Sequence, residues 1–145
     1  MPGHPTDHAG LETLSFDACL HLLASVPLGR VGFLADGELV ILPVNHVMDG
    51  QDVIFRTAYG SKLTAAEEQD VVAFEADDYD QQTRSGWSVL VTGRAIVVYE
   101  DAEIQRLGGL GLHPWASPVK RPFWVRIRPT SVTGRRTSGT LGPAS

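Results

Sequence analysis

Residues 30–57 read Arg30-Val31-Gly32-Phe33-Leu34-Ala35-Asp36-Gly37-Glu38-Leu39-Val40-Ile41-Leu42-Pro43-Val44-Asn45-His46-Val47-Met48-Asp49-Gly50-Gln51-Asp52-Val53-Ile54-Phe55-Arg56-Thr57. Apolar runs flank Asp36-Gly37, and the same dipeptide returns as Asp49-Gly50. Aspartate followed by glycine tolerates the positive φ angles of a tight primed turn, so each dipeptide joins two strands. The spacing predicts strands over 30–35, 39–48 and 52–57, an antiparallel meander of three.

Upstream, Ser15 has the character of an N-cap. Asp17 falls in the first turn, Leu14 can staple against Cys19, and Phe16, Cys19, Leu20 and Leu23 recur at helical spacing. A helix from Phe16 to about Ala24 follows, ended by Pro27. Downstream, the pattern predicts a helix over 63–69, strands over 70–76 and 87–99, a helix over 101–107 stopped by Gly108 and Gly109, and a last strand over 123–132. Gly93 can host a bulge in the long strand. Six short antiparallel strands with regular turns make a mainly β chain with short helices, a small barrel or sandwich. A dinucleotide fold is excluded because Gly108, Gly109 and Gly111 follow a helix, where the fingerprint must follow a strand. Neither a repeat nor a linker divides residues 11–136, whereas 1–10 and 137–145 are rich in Gly, Pro, Ser and Thr and are expected to be disordered arms.

Composition removes several function classes. A net charge of −5 and a pI near 5.4 leave no footprint for nucleic acid, although residues 120–136 are locally basic. One cysteine, Cys19, excludes an internal disulfide and lies on the apolar side of the first helix as a small hydrophobe. With a polar N-terminus and nothing near the ~20 apolar residues of a membrane span, a cytoplasmic protein is expected. The histidines His4, His8, His21, His46 and His113 show no metal-ligand spacing. Glu75, Asp77, Asp78 and Asp80 form an acidic run at the end of the fourth strand, read as a solvated loop in preference to a cation site, since no EF-hand loop is present. There is no Gly-x-Ser-x-Gly elbow. Strand alternation sends Asn45 and His46 to opposite faces, and Asn45 is the one assigned to a pocket.

One segment does carry chemistry. The strand ending Phe55-Arg56-Thr57 breaks at Gly60 and restarts as a helix headed by Ser61-Lys62-Leu63. A helix N-terminus offers unpaired N–H groups and a positive dipole end, and Arg56, Thr57, Ser61 and Lys62 add side-chain donors. Lys62 and Lys120 are the only lysines. Two readings stand side by side: an anion cradle for a phosphate, or a helix capped by Ser61 with Lys62 solvated and Arg56 paired to an acid such as Glu68. On the first reading, a chain without its own reactive group borrows a phosphorylated cofactor to do the chemistry, with flavin mononucleotide (FMN) the leading candidate.

The ordered set Leu28-Gly29-Arg30-Val31-Gly32, Pro43-Val44-Asn45, Phe55-Arg56-Thr57 to Gly60-Ser61-Lys62-Leu63 and Trp87-Ser88-Val89-Leu90-Val91-Thr92-Gly93-Arg94-Ala95 resembles the pyridoxamine 5′-phosphate oxidase-related, flavin-binding split-barrel family from about Ser15 to Arg136. The resemblance implies a six-stranded antiparallel split β-barrel, dimeric, with FMN at the interface of a homodimer. It implies that Thr57, Ser61 and Lys62, with Arg56, hold the phosphate, that the backbone of Pro43 and Val44 and the side chain of Asn45 face the flavin ring, and that Ser88 beside Trp87 meets the cofactor. Trp87 is equally an aromatic of the dimer core. The activity so implied is an FMN-dependent oxidoreductase acting on a small organic substrate. Relatives using a deazaflavin coenzyme, and a non-catalytic flavin or tetrapyrrole binder, are the alternatives.

Three departures from the family pattern bear on substrate. Lys62 is followed by Leu63 where the vitamin-forming oxidase has a second basic residue, and Arg126-Ile127-Arg128 replaces its Arg-x-His element. Arg56 stands where nitroimidazole-resistance relatives often have histidine. Arg126 and Arg128 share one strand face and either bridge locally or receive an anionic substrate. Trp124 reads as core, and Trp115 as a lid over the pocket or an anchor for its loop.

Overall fold

The computed structural model describes residues 11–112 and 121–137. In chain order the elements are β1 (Glu12–Thr13), α1 (Phe16–Ala24), β2 (Leu28–Ala35), β3 (Glu38–Asn45), β4 (Val47–Asp49), β5 (Asp52–Thr57), α2 (Ser61–Glu67), β6 (Val71–Asp80), β7 (Ser85–Val98), α3 (Asp101–Gly108) and β8 (Phe123–Thr137). The mainly β reading holds. Cys19 and Leu23 of α1 are fully buried, and the Ser15 hydroxyl accepts from the Ala18 N–H as an N-cap.

One antiparallel sheet runs in the order β3-β2-β6-β7-β8-β5-β4, with β1 added along β8. Asp36 and Gly37 both take positive φ (51° and 80°), the type I′ geometry expected of a two-residue hairpin. The second turn is centred one residue later than expected. Asp49 pairs with Asp52, so Gly50 (φ 63°) and Gln51 form the loop.

The meander does not survive. The run 39–48 breaks at His46, leaving β3 on β2 at one edge of the sheet and β4 on β5 at the other. The backbone N–H of His46 leaves the ladder and donates to the Pro27 carbonyl at 3.0 Å. Because one residue joins opposite edges, the sheet must curl round on itself, and β3 approaches β5 without pairing. That gap is the split of a split barrel.

Period-two alternation points Val31, Phe33, Val72, Phe74, Ala76, Val89, Val91, Val53, Phe55, Val125 and Ile127 inward, all nearly or fully buried. Helix α2 lies against β2, β7 and β8 and adds Leu63, Ala65 and Ala66 to this core. A second, smaller core of Ile54, Trp124 and Leu107 forms where α3 covers the outer side of the sheet. Trp124 is therefore core, as expected.

The acidic loop expected after the fourth strand is strand: β6 continues to Asp80 because β7 pairs with it rung for rung from Ser85 to Arg94. The register shifts between Thr92 and Gly93, at the expected bulge. A methyl group at Gly93 would collide with the Arg128 carbonyl oxygen on β8, a backbone atom that cannot swing aside. Gly93→Ala should cost about 3 kcal/mol, the upper end of overpacking penalties. Urea unfolding of the variant measures this, and a loss below about 1 kcal/mol would show that the bulge absorbs the methyl.

Thr137, placed in the C-terminal arm by composition, pairs with Gly86 as the last residue of β8. Residues 1–10 and 138–145 of the expected arms, with Trp115, His4, His8 and His113, lie outside the described residues.

Candidate functional site

Strand β5 ends at Thr57, whose side chain is 3% exposed and donates to the Ala58 carbonyl. The chain turns through Ala58 and Tyr59 to Gly60, the N-cap of α2, at φ 149°. Nothing lies within 4 Å of the position a Cβ would take, so backbone conformation, not space, calls for glycine there. Ser61 is the first helical residue, exposed and without a side-chain capping bond. The capped-helix reading therefore fails at Ser61. Helix α2 spans only 7 residues, so its dipole is weak and the burden of holding an anion falls on side chains.

Lys62 is half-buried, and its pKa is lowered first by burial and then by the positive charge of Arg121. No acid is among the influences acting on it. Burial and a like charge both disfavour the Lys62 ammonium, a cost that a bound anion relieves. Arg121 was missed because only the fold brings the start of β8 beside α2; its one visible signal was the basic stretch 120–136.

The other expected site residues are distributed unevenly. Leu63 is buried and anchors α2 in the core. Arg56 does not pair with Glu68. It lies on the outer side of β5 with its guanidinium 4.9 Å from the centre of the Trp124 ring, a cation–π contact on the face opposite Thr57. Pro43 is exposed on β3 along the split, and Val44 is 4% exposed. The Asn45 amide donates to the Pro27 carbonyl at 3.1 Å, leaving its oxygen buried without a partner among the described residues, and Asn45 lines the same cleft as Pro27 and His46.

His46 takes the inward position that alternation implies. It is 3% exposed, packs edge-on against Phe74, and places Nε2 2.8 Å from the Leu23 carbonyl. A carbonyl only accepts, so Nε2 carries the proton. Burial outweighs that bond and lowers the pKa, which keeps the ring neutral. His46 thus ties α1 to the strand break, beside a cleft of about 690 Å³.

Trp87 and Ser88 lie at the opposite end of β8 from the cradle. Thr57 pairs with Phe123 at the start of β8, while Trp87 pairs with Arg136 near its end. The intervening strand measures roughly 40 Å in contour at about 3.3 Å per residue. Trp87 and Ser88 instead border a hollow of about 290 Å³ that they share with Glu75 and Asp77. Both carboxylates reach the same Arg30 nitrogen at 3.2 Å. Burial first, and then the neighbouring Asp77, push Glu75 up to about 7 against the pull of Arg30. Among the described residues no cluster of His, Cys, Asp and Glu could hold a metal ion.

Arg126 resolves the choice left open for the last strand. Its side chain is 11% exposed and donates to Asp49 at 2.9 Å, Asp52 at 2.6 Å and Glu103 at 2.9 Å. Arg106 joins the same network through Asp49 and Glu103. Arg126 is thus engaged in clamping α3 to the β4–β5 turn.

The family model described as pyridoxamine 5′-phosphate oxidase matches residues 15–136, nearly the whole described barrel. The chain belongs to this pyridoxamine 5′-phosphate oxidase family. Within reach of it is the uncharacterized protein Rv0080 of Mycobacterium tuberculosis, 43% identical over 129 residues that cover 85% of this chain and 83% of the relative. A solved structure of an FAD binding protein from Mycobacterium smegmatis is similar at 42% identity and a TM-score of 0.73, covering 86% of this chain and 98% of that one. An FAD-binding protein from Mesorhizobium loti, at 22% identity and a TM-score of 0.72 over 88% of this chain and 99% of that one, shares the fold. Among the described residues of this family member, no helix is long and apolar enough to cross a membrane.

Proposed function

We propose that the chain is a homodimeric, flavin-dependent oxidoreductase whose cradle, formed by Thr57, Ser61, Lys62 and Arg121, holds the phosphate of FMN. The observation that carries this reading is Lys62, half-buried in the first turn of α2 and under the positive charge of Arg121. Such a donor set suits a phosphate, which accepts charge-assisted bonds from both cations. Bound there, a flavin supplies the redox chemistry, exchanging electrons with a small organic substrate. The protein's part is to orient it along the split, where the backbone of Pro43 and Val44 borders the groove, and to keep water from it.

A second copy accounts for two further observations. Leu34, Leu39, Ile41 and Leu90 are 60%, 84%, 71% and 46% exposed on one face of the sheet, an apolar patch of the kind that marks a protein interface. Trp87 and Ser88 border that face, far along the strand from the cradle of their own chain. Packing two such faces together is the simplest way to give Trp87 and Ser88 a role at a cofactor, by way of the partner's cradle.

The 42% identity to a protein named for FAD binding favours a second reading, in which the flavin is the dinucleotide. The test is an absorbance spectrum of the purified full-length protein, followed by titration of apoprotein with FMN, FAD and the deazaflavin coenzyme, and sedimentation. A yellow dimer, or a colourless one that takes up a flavin, is the expected result. Failure to bind any of the three sinks the proposal, a monomer sinks the interface, and binding without turnover on a panel of donors and substrates recasts the protein as a flavin carrier.

A further inference from the structure

We infer that Tyr59 is a stacking shelf for the nucleobase of the bound cofactor, so that the cradle selects a flavin dinucleotide over the mononucleotide. The inference rests on the flavin reading above in its second, dinucleotide form and deepens it. Tyr59 is 83% exposed, on the turn between β5 and Gly60. An aromatic ring on a loop ordinarily gains most by folding against the core. Tyr59 instead meets Phe123 edge to face, with ring centres 4.8 Å apart and planes at 74°. That contact orients the ring while leaving most of its surface open, so a planar guest meets it without the cost of ordering it.

The shelf and the cradle are built on one rung. Phe123 pairs with Thr57 across the β5–β8 ladder, so the residue that steadies Tyr59 is also opposite the residue that starts the cradle. Tyr59 precedes Lys62 by three residues, at most ~10 Å of chain. A base attached through its ribose to a phosphate at Lys62 and Arg121 can reach that far. FMN has its isoalloxazine ring at one end and its phosphate at the other, and leaves nothing to lie on Tyr59 once the ring is in the groove. A dinucleotide continues past the phosphate to an adenine, a flat π-surface that stacks on tyrosine whatever its hydrogen-bonding edge.

Apoprotein of the full chain, and its Tyr59→Ala and Tyr59→Phe variants, would be titrated calorimetrically with FAD, FMN and ADP. The wild type should bind FAD at least roughly 10-fold more tightly than FMN, with ADP competing for FAD, in keeping with base–aromatic stacking. Tyr59→Ala should abolish the preference and leave FMN affinity unchanged, and Tyr59→Phe should retain it. Equal affinity of the wild type for FAD and FMN overturns the shelf while leaving flavin binding intact. So does an equal loss of both ligands in Tyr59→Ala, or a change in oligomeric state in place of the preference. Failure of the wild type to bind either flavin removes the shelf together with the reading beneath it.

Discussion

Lys62→Ala is expected to weaken flavin binding about 10- to 100-fold, and Lys62→Glu to reduce it below detection. A charge-assisted hydrogen bond contributes roughly 1.5–3 kcal/mol, and every ~1.4 kcal/mol is tenfold in affinity. Glutamate adds repulsion between its carboxylate and the phosphate. The apoprotein should respond in the opposite sense. Lys62 is half-buried and faces Arg121, so its charge is held at a cost in the empty protein, and its removal should leave the melting temperature unchanged or slightly raised. Loss of binding with retained stability separates a ligand-holding lysine from a structural one. Anion binding favours the charged amine, so wild-type affinity should also fall as pH rises through the lowered pKa of Lys62. Calorimetric titration of the three proteins, with thermal melts of each apo form, provides the measurement. An affinity unchanged in Lys62→Ala would reduce this residue to a surface charge.

Arg126→Ala is expected to destabilise the fold by about 2–4 kcal/mol. Removing one partner from a fully buried ion pair costs roughly 3–5 kcal/mol because the other charge is stranded. Arg126 strands two at once, Asp49 and Asp52, but they retain 20% and 17% side-chain exposure, which lowers the penalty. Arg106 still reaches Asp49, so Asp52 takes most of the loss. For a chain of this size the change should lower Tm by roughly 10 °C. Acid provides an independent check. The bond to Arg106, working against burial and helped by Arg126, holds Asp49 down at about 2 from an ordinary 3.8. A depressed carboxylate contributes stability that is complete above its unfolded pKa, so the wild type should keep this contribution above about pH 4 and lose it as pH falls towards 2. Urea and acid unfolding of the variant should show a lower midpoint in urea and earlier loss in acid. A cost below 1 kcal/mol would mean that the network behaves as an ordinary surface cluster.

The local elements were legible because local physics makes them. Asp36-Gly37 takes positive φ at both positions, Ser15 caps α1, and Gly93 marks the bulge, each from the conformational preferences of a few adjacent residues. Helical spacing likewise put Cys19 on the buried side of α1, and Trp124 on the last strand read as core. The likeness of four ordered motifs was enough to point to the family, since motif order is a property of sequence.

Strand order was not legible, for hairpin chemistry decides only the nearest partner. A meander and a split barrel place the same turn residues between the same strands, and what separates them is whether His46 donates its N–H to the next strand or to Pro27. The site divides along the same line. Arg56, Thr57, Ser61 and Lys62 stand out as a cluster of donors in one short segment. That Arg121 joins Lys62, that Arg126 is consumed by three carboxylates, and that Trp87 and Ser88 end a strand's length away depend on contacts between residues far apart in the chain. By itself the sequence determined most of the elements, the Asp36-Gly37 turn and the family. Only the tertiary structure decided how the sheet curls, that Arg121 comes beside Lys62 and that Arg126 is engaged by three carboxylates, because the energy of a long-range contact belongs to both of its partners and neither sequence neighbourhood contains it.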